Sequence, residues 1–159
     1  MKLELDDLDR RILKALQSDA SQTNHQLAAS VHASPPTCLR RVRRLTEAGV
    51  IARQVALLDT DKLASTLTAI VEITLDRQGD EEQQSFESLV ADEPAVQQCY
   101  RVSPGPDFVL VVLVADMPAY HALAHRLFAS QKNVRNVRSY FSVLRSKFET
   151  AVPIDVQKE

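Results

Sequence analysis

"SPPTCLRRVRRLTEAGVI", residues 34–51, places four arginines within five positions of a stretch that otherwise keeps helical spacing. Ser34 suits a helix N-cap, Pro35 the first helical position and Gly49 a stop, which together predict a helix from about 35 to 48. On a wheel of about 100° per residue, Val42 and Leu45 fall within about 40° of Cys38, so these three form a buried seam. Arg40, Arg44 and Thr37 fall opposite it, Pro36, Arg43 and Glu47 adjoin them, and Arg41 lies nearer the seam, along a neighbouring helix. Residues 33–53 hold five arginines against the single acid Glu47, a local charge of +4 in a chain of net charge -2. Acids that would interleave as i,i+4 partners are lacking, which argues against a plain solvated face and for an anionic partner.

The residues before this helix complete a helix-turn-helix. Leu5, Leu8, Ile12 and Leu16 recur at helical spacing behind Asp6, Asp7 and Asp9, acids that favour a helix N-terminus, and predict a helix from about 6 to 18. Thr23 and Gln26 match a capping box ahead of Leu27, Ala28 and Val31. Two short helices joined by "HAS", the second rich in arginine, fit the motif whose second helix enters the major groove, so double-stranded DNA is the expected partner.

Composition agrees with a small globular protein: 159 residues, 45% apolar and 25% charged. The longest apolar run, "FVLVVLVA" at 108–115, falls short of the roughly 20 residues of a membrane span. The acidic start "MKLELDDLDRR" has no apolar signal core, so a cytoplasmic protein with no membrane partner is expected. Cys38 and Cys99 lie 61 positions apart and form no CxxC, and both read as reduced packing residues. Residues 1–60 carry nine basic against seven acidic side chains, net +2, whereas 61–159 carry ten against fourteen, net -4. The chain is therefore expected to hold a helix-turn-helix domain with a linking strand over 1–60 and a second domain over 61–159.

In the second part "VIARQVALL", 50–58, predicts a short strand and "DTDKLAS" a connector. Ala69, Val71, Ile73 and Leu75 alternate with polar residues, predicting a strand; Phe86, Leu89 and Val90 mark a helix over 80–92. "AVQQCYRV" and "DFVLVVLV" are strands flanking the turn "SPGP", Tyr120, Leu123 and Leu127 set a helix over 117–131, and a last strand is expected over about 137–148. The order β-α-β-β-α-β is a ferredoxin-like split βαβ, giving an α+β chain with an N-terminal helix-turn-helix domain. One face of such a sheet stays open unless a second subunit covers it, which predicts a homo-oligomer.

The segments "LDDLDRRILKALQSDA", "LAASVHASPPTCLRRVRRLTEAGVI" and "VRSYFSVLRSKFETAVPI" resemble the leucine-responsive regulatory protein/asparagine-synthetase regulator (Lrp/AsnC) family over about 3–154. The resemblance implies a transcription regulator that assembles from dimers into a higher oligomer, often an octamer, with a second domain that binds a small effector, usually an amino acid. It implies DNA-binding positions at Ser34, Pro35, Pro36, Thr37, Arg40, Arg41, Arg43 and Arg44. Base contacts are expected from Pro36, Thr37 and Arg40, whose guanidinium fork suits guanine, and phosphate contacts from Arg43 and Arg44. Ser21 stands where an arginine is common, which removes one phosphate contact.

The implied effector site is the loop Ser103, Pro104, Gly105, Pro106, Asp107 and Phe108, with Ser139 and Tyr140 of the last strand lining the pocket from a neighbouring subunit. Asp107 would accept the ligand's ammonium, and the Gly105 and Asp107 N–H groups would donate to its carboxylate. The loop departs from the family pattern: Pro104 replaces the usual glycine, Gly105 comes one place later, and two prolines remove two N–H donors. A different ligand, or none, is left open by that loss. Ser139 and Tyr140 read equally well as sheet residues with satisfied hydroxyls.

Enzymatic chemistry has little support. His121 and His125 stand at i,i+4, a spacing two metal ligands use, but no HExxH glutamate or nearby third ligand accompanies them, so no metal is expected and an exposed pair at a subunit contact is preferred. There is no GxSxG or GxGxxG, and three glycines leave little for a phosphate-cradling loop. No enzyme and no cofactor are expected. The alternative is a tetrapyrrole-decarboxylase-like enzyme, as in relatives of these regulators, which would need His121 and Arg126 to face the second domain's cavity.

Overall fold

Reciprocal caps start the first unit. The Asp6 carboxylate accepts the Asp9 N–H at 2.9 Å and the Asp9 carboxylate accepts the Asp6 N–H at 3.1 Å, closing the first turn of α1 (Asp7–Ser18). Thr23 and Gln26 close a second box on α2 (Asn24–Ser30), and Ser34 caps α3 (Pro35–Glu47) with Pro35 in its first turn. Between α2 and α3 the chain turns at His32, whose φ of 55° is left-handed, and Gly49 ends α3 at φ 71°. Asn24 Nδ2 donates to the Pro35 carbonyl at 2.9 Å and holds the two helices of the motif together.

The computed structural model describes residues 4–63 and 66–154 and falls into two compact units. The first comprises 4–57 and 147–154, around a core of Ile12, Leu13, Leu27, Ala28, Val31, Cys38 and Leu45. The seam predicted for α3 is in place: Cys38 and Leu45 are fully buried and Val42 packs against them. A boundary at 60 would leave the C-terminal residues in the second domain, but 147–154 return to the first unit. The Gln17 side-chain amide donates to the Val152 carbonyl at 3.0 Å and accepts the Val152 N–H at 2.6 Å, while Ile154 packs on the core. The strand expected over 50–58 is not formed. Residues 52–58 have no strand partner among the described residues, and Val55, Leu57 and Leu58 are exposed; a β-prone segment becomes a strand only by pairing its backbone.

The second unit, 58–146, contains α4 (Thr60–Leu63), β1 (Leu67–Leu75), α5 (Asp80–Ala91), β2 (Val96–Arg101), β3 (Phe108–Val114), α6 (Met117–Ala124) and β4 (Val134–Phe141). Beyond α6 the helix widens into a π turn over His125–Ala129, so the helix expected over 117–131 ends close to its predicted limit in a different geometry. The strands form an antiparallel sheet in the order β2-β3-β1-β4, the ferredoxin-like arrangement. Ala69, Val71, Ile73 and Leu75 of β1 and Phe108, Leu110 and Val112 of β3 bury against Phe86, Val90, Tyr120, Leu123, Leu127 and Phe128 of the helices. The opposite face carries Ile70, Val111, Tyr100 and Tyr140, of which Ile70, Tyr100 and Tyr140 are exposed.

The last strand starts earlier than predicted and ends seven residues sooner, at Phe141 rather than 148. Its ladder runs along β1 from Leu75↔Val134 to Ala69↔Phe141, with a final Ser142 N–H to Thr68 carbonyl bond at 2.9 Å. By then β1 has almost reached its own beginning at Leu67, and little backbone remains to pair.

Candidate DNA-reading surface and effector loop

The arginines of α3 divide into two pairs. Arg40 and Arg43 are exposed, as are Ser34 and Pro36, with Pro35 and Thr37 half-buried beside them. Ser34 donates its hydroxyl to Thr37 Oγ1 at 2.8 Å, fixing the first turn. Arg41 turns toward α1: its Nη1 donates to Asp6 Oδ2 at 2.5 Å and to both Asp9 oxygens at 3.2 and 3.3 Å. Arg44 Nη2 donates to Asp9 Oδ2. The helical wheel puts Arg41 near a neighbouring helix, where it lies, but sets Arg44 on the outer face. The acidic first turn of α1 draws Arg44 back. Asp9 itself is fully buried, the charged residue at the centre of the cluster.

Electrostatics follow the contacts. The Asp9 N–H bonded to the Asp6 carboxylate, aided by the Arg41 guanidinium against the opposing effect of burial, holds Asp6 below its ordinary range. The Asp6 hydrogen bond in turn raises Arg41 further. With Arg41 and Arg44 neutralised from behind, Arg40 and Arg43 carry the outward positive field of α3.

In the second unit the loop between β2 and β3 is pinned by Asp107. Its carboxylate accepts the Leu75 N–H at 2.7 Å and the Gln78 Nε2–H at 3.3 Å, both through Oδ2, and its own N–H donates to the Ile73 carbonyl at 2.8 Å. Asp107 is 8% exposed. The Asp107 N–H, expected from the sequence to meet a ligand carboxylate, is thus spent on β1. Phe108 is completely buried, its ring 4.8 Å from that of Phe86, and belongs to the core. Ser103, Pro104, Gly105 and Pro106 remain at the surface or close to it, Gly105 at φ 125°.

Ser139 and Tyr140 point to opposite faces of the sheet. Ser139 shares a hydrogen bond with Tyr120 of α6, whereas Tyr140 is exposed on the open face and donates to Glu72 Oε2 at 3.4 Å. They cannot line one pocket within a subunit, and the hydroxyl of each is already engaged.

His121 and His125 are exposed beside an open groove of about 430 Å³ that Ala124, Phe128, Ala129 and Val137 complete. Arg126, the basic residue considered with His121, instead pairs with Glu93 at 2.7 Å. Among the described residues no group of three or more His, Cys, Asp or Glu is placed to hold a metal ion. Both cysteines are free thiols; Cys38 is buried, which pushes its thiol up, but Cys99 is exposed on the edge strand β2 and is not the packing residue expected. Among the described residues no helix is long and apolar enough to cross a membrane.

A capped helix pair presenting arginines, followed by a ferredoxin-like unit with one face uncovered, defines a two-domain DNA-binding regulator. Residues 5–52 match the model of a winged helix-turn-helix DNA-binding domain and residues 68–152 that of the Lrp/AsnC ligand binding domain. The leucine-responsive regulatory protein of Rhizobium meliloti is 34% identical over 97% of this chain and 99% of its own length. The chain belongs to the Lrp/AsnC family of transcription regulators. Among solved structures, an AsnC family transcriptional regulator from Agrobacterium tumefaciens is similar at 36% identity and a TM-score of 0.89, covering 97% of this chain and 100% of that one. A transcriptional regulator from Neisseria meningitidis, solved as a complex with L-Met, is similar at 29% identity and a TM-score of 0.87, covering 94% and 97%.

Proposed function

We propose that α3 lies in the major groove with Pro36, Thr37 and Arg40 at base edges and Arg43 on a phosphate, and that an amino acid bound by the second unit tunes DNA affinity or assembly. The observation that carries the first part is the exposed Arg40 and Arg43 on a helix whose opposite seam, Cys38 and Leu45, is fully buried. Such a helix is held rigidly and presents planar donors outward. Ser34 contributes by fixing the first turn of the helix.

The amino-acid effector is supported by the ligand-binding family model over 68–152 and by the L-Met bound to the Neisseria relative. In this chain the loop 103–106 is the part left available, because Asp107 and Phe108 are committed to the fold. Its remaining N–H groups at Ser103 and Gly105 are the ones a carboxylate would meet. Assembly from dimers into an octamer is supported by the exposed Ile70, Tyr100 and Tyr140 on the open sheet face and by Val55, Leu57 and Leu58 on the unpaired segment. The chain works by binding in the cytoplasm, where its DNA lies, and not by catalysis; the regulatory relatives support that reading.

Melting the full chain with each of the twenty amino acids tests the effector. One that is present at 100 times its Kd adds about 2.7 kcal/mol of stability and should change affinity for duplex DNA or the size seen by light scattering. A panel with no effect on melting, DNA binding or size would contradict the amino-acid reading. A purified protein with a Soret-like absorption would favour the tetrapyrrole enzyme instead.

A further inference from the structure

We propose that Asp9 is a positioning residue for DNA reading: it holds Arg44, together with Arg41, off the DNA phosphates, so that specificity rests on Arg40. The inference rests on α3 occupying the groove and adds a division of labour among its arginines.

Asp9 is 0% exposed, and a buried carboxylate persists only when its oxygens are matched by donors and charge. Here they are matched throughout. Oδ2 accepts from the Asp6 N–H and from Arg44, and Arg41 reaches both oxygens. If either guanidinium left for a phosphate, part of this carboxylate's compensation would be lost, and a buried charge deprived of a partner is heavily penalised. Arg44 is the residue to which this matters most. Its side chain is 39% exposed, against 20% for Arg41, so it is the one with room to swing outward.

The consequence concerns specificity. Phosphate contacts raise affinity for every sequence alike, whereas base-edge contacts raise it for one. Four arginines on one helix, all free, would give a strong sequence-blind attraction. Tethering two of them from behind lowers that background and leaves the base-reading position its full weight.

The test is the salt dependence of binding to a random-sequence duplex by the full chain, followed by fluorescence anisotropy. The slope of log K against log salt changes by about 0.9 for each phosphate that a bound protomer newly engages or releases. Arg43→Ala should flatten the slope by that amount, and Arg44→Ala should leave it unchanged. Asp9→Asn should steepen it by about 0.9 as Arg44 is released while Arg41 stays on Asp6, and Asp9→Asn with Arg44→Ala should restore the wild-type value. A purely structural role for Asp9 would lower stability without steepening the slope. An Arg44→Ala slope as flat as that of Arg43→Ala overturns the inference, as does a folded Asp9→Asn with the wild-type slope. If Asp9→Asn does not fold, the comparison of Arg44→Ala with Arg43→Ala decides alone. An unchanged slope for Arg43→Ala would instead remove the groove assignment itself, and the inference with it.

Discussion

The carboxylate of Asp107 accepts the backbone N–H of Leu75 at 2.7 Å, tying the loop before β3 to the end of β1. Leu75 lies two residues beyond Ile73↔Phe108, the last pair of the β1–β3 ladder, so its N–H on that side has no strand to meet. A side chain supplies the acceptor that the sheet does not.

Asp107→Ala should therefore cost about 1–3 kcal/mol of stability, because it leaves a buried N–H without an acceptor. Urea melts of wild type and variant measure it. An unchanged midpoint would show that the bond contributes nothing, and Asp107 would then return as a candidate for ligand binding alone.

The tail makes a comparable prediction. Two hydrogen bonds link Gln17 to Val152, and Ile154 sits on the core of the first unit. Gln17→Ala should lower stability by about 1 kcal/mol, at the level of ordinary exposed hydrogen bonds. Ending the chain at Ser146 should do more, since the Ile154 packing goes as well. Amide hydrogen exchange in α1 is the readout: protection that survives the truncation would contradict the docking.

Acid should loosen the first unit through Asp6. Its folded-state pKa lies below the ordinary 3.8, owing to the Asp9 N–H and, against the cost of burial, to Arg41. A depressed carboxylate contributes fully above its unfolded pKa and loses that contribution as pH falls through the folded value. The first unit should accordingly lose stability below about pH 3.8. Asp6→Asn should be less stable at neutral pH and show a shallower decline in that window. Parallel declines for the two proteins would remove Asp6 as the cause.

Legibility in the sequence depends on whether an element is defined by its own period. The α3 seam and the alternation of Ala69, Val71, Ile73 and Leu75 are local patterns, and each appears in the structure as read. The ends of β4 differ from the expected ones because they are set by the length of β1, far upstream, rather than by the strand's own composition. Likewise the segment 50–58 has the residues of a strand and lacks a partner.

At the candidate sites the same distinction holds. Arg44 and Asp9 are 35 residues apart, and nothing in the helical wheel of α3 registers an acid on another helix. One signal does stand in the sequence: Asp6, Asp7 and Asp9 gather three acids in one turn, and an arginine-rich helix is a natural partner for them. Ser139 and Tyr140 are separable on pattern alone, since neighbouring residues of a strand face opposite ways. Phe108 begins the same alternation that buries Leu110 and Val112, which marks it as core rather than ligand surface.

Whether α3 reads DNA through Arg40 is measured by selecting bound duplexes from a random pool with wild type and Arg40→Ala in parallel. Wild type should enrich one motif. The variant should enrich the same motif with preference lost at one base position, worth about 1–3 kcal/mol for a bidentate guanine contact, while the others are retained. An Arg40→Ala protein that enriches the wild-type motif with undiminished preference at every position would mean that Arg40 reads no base.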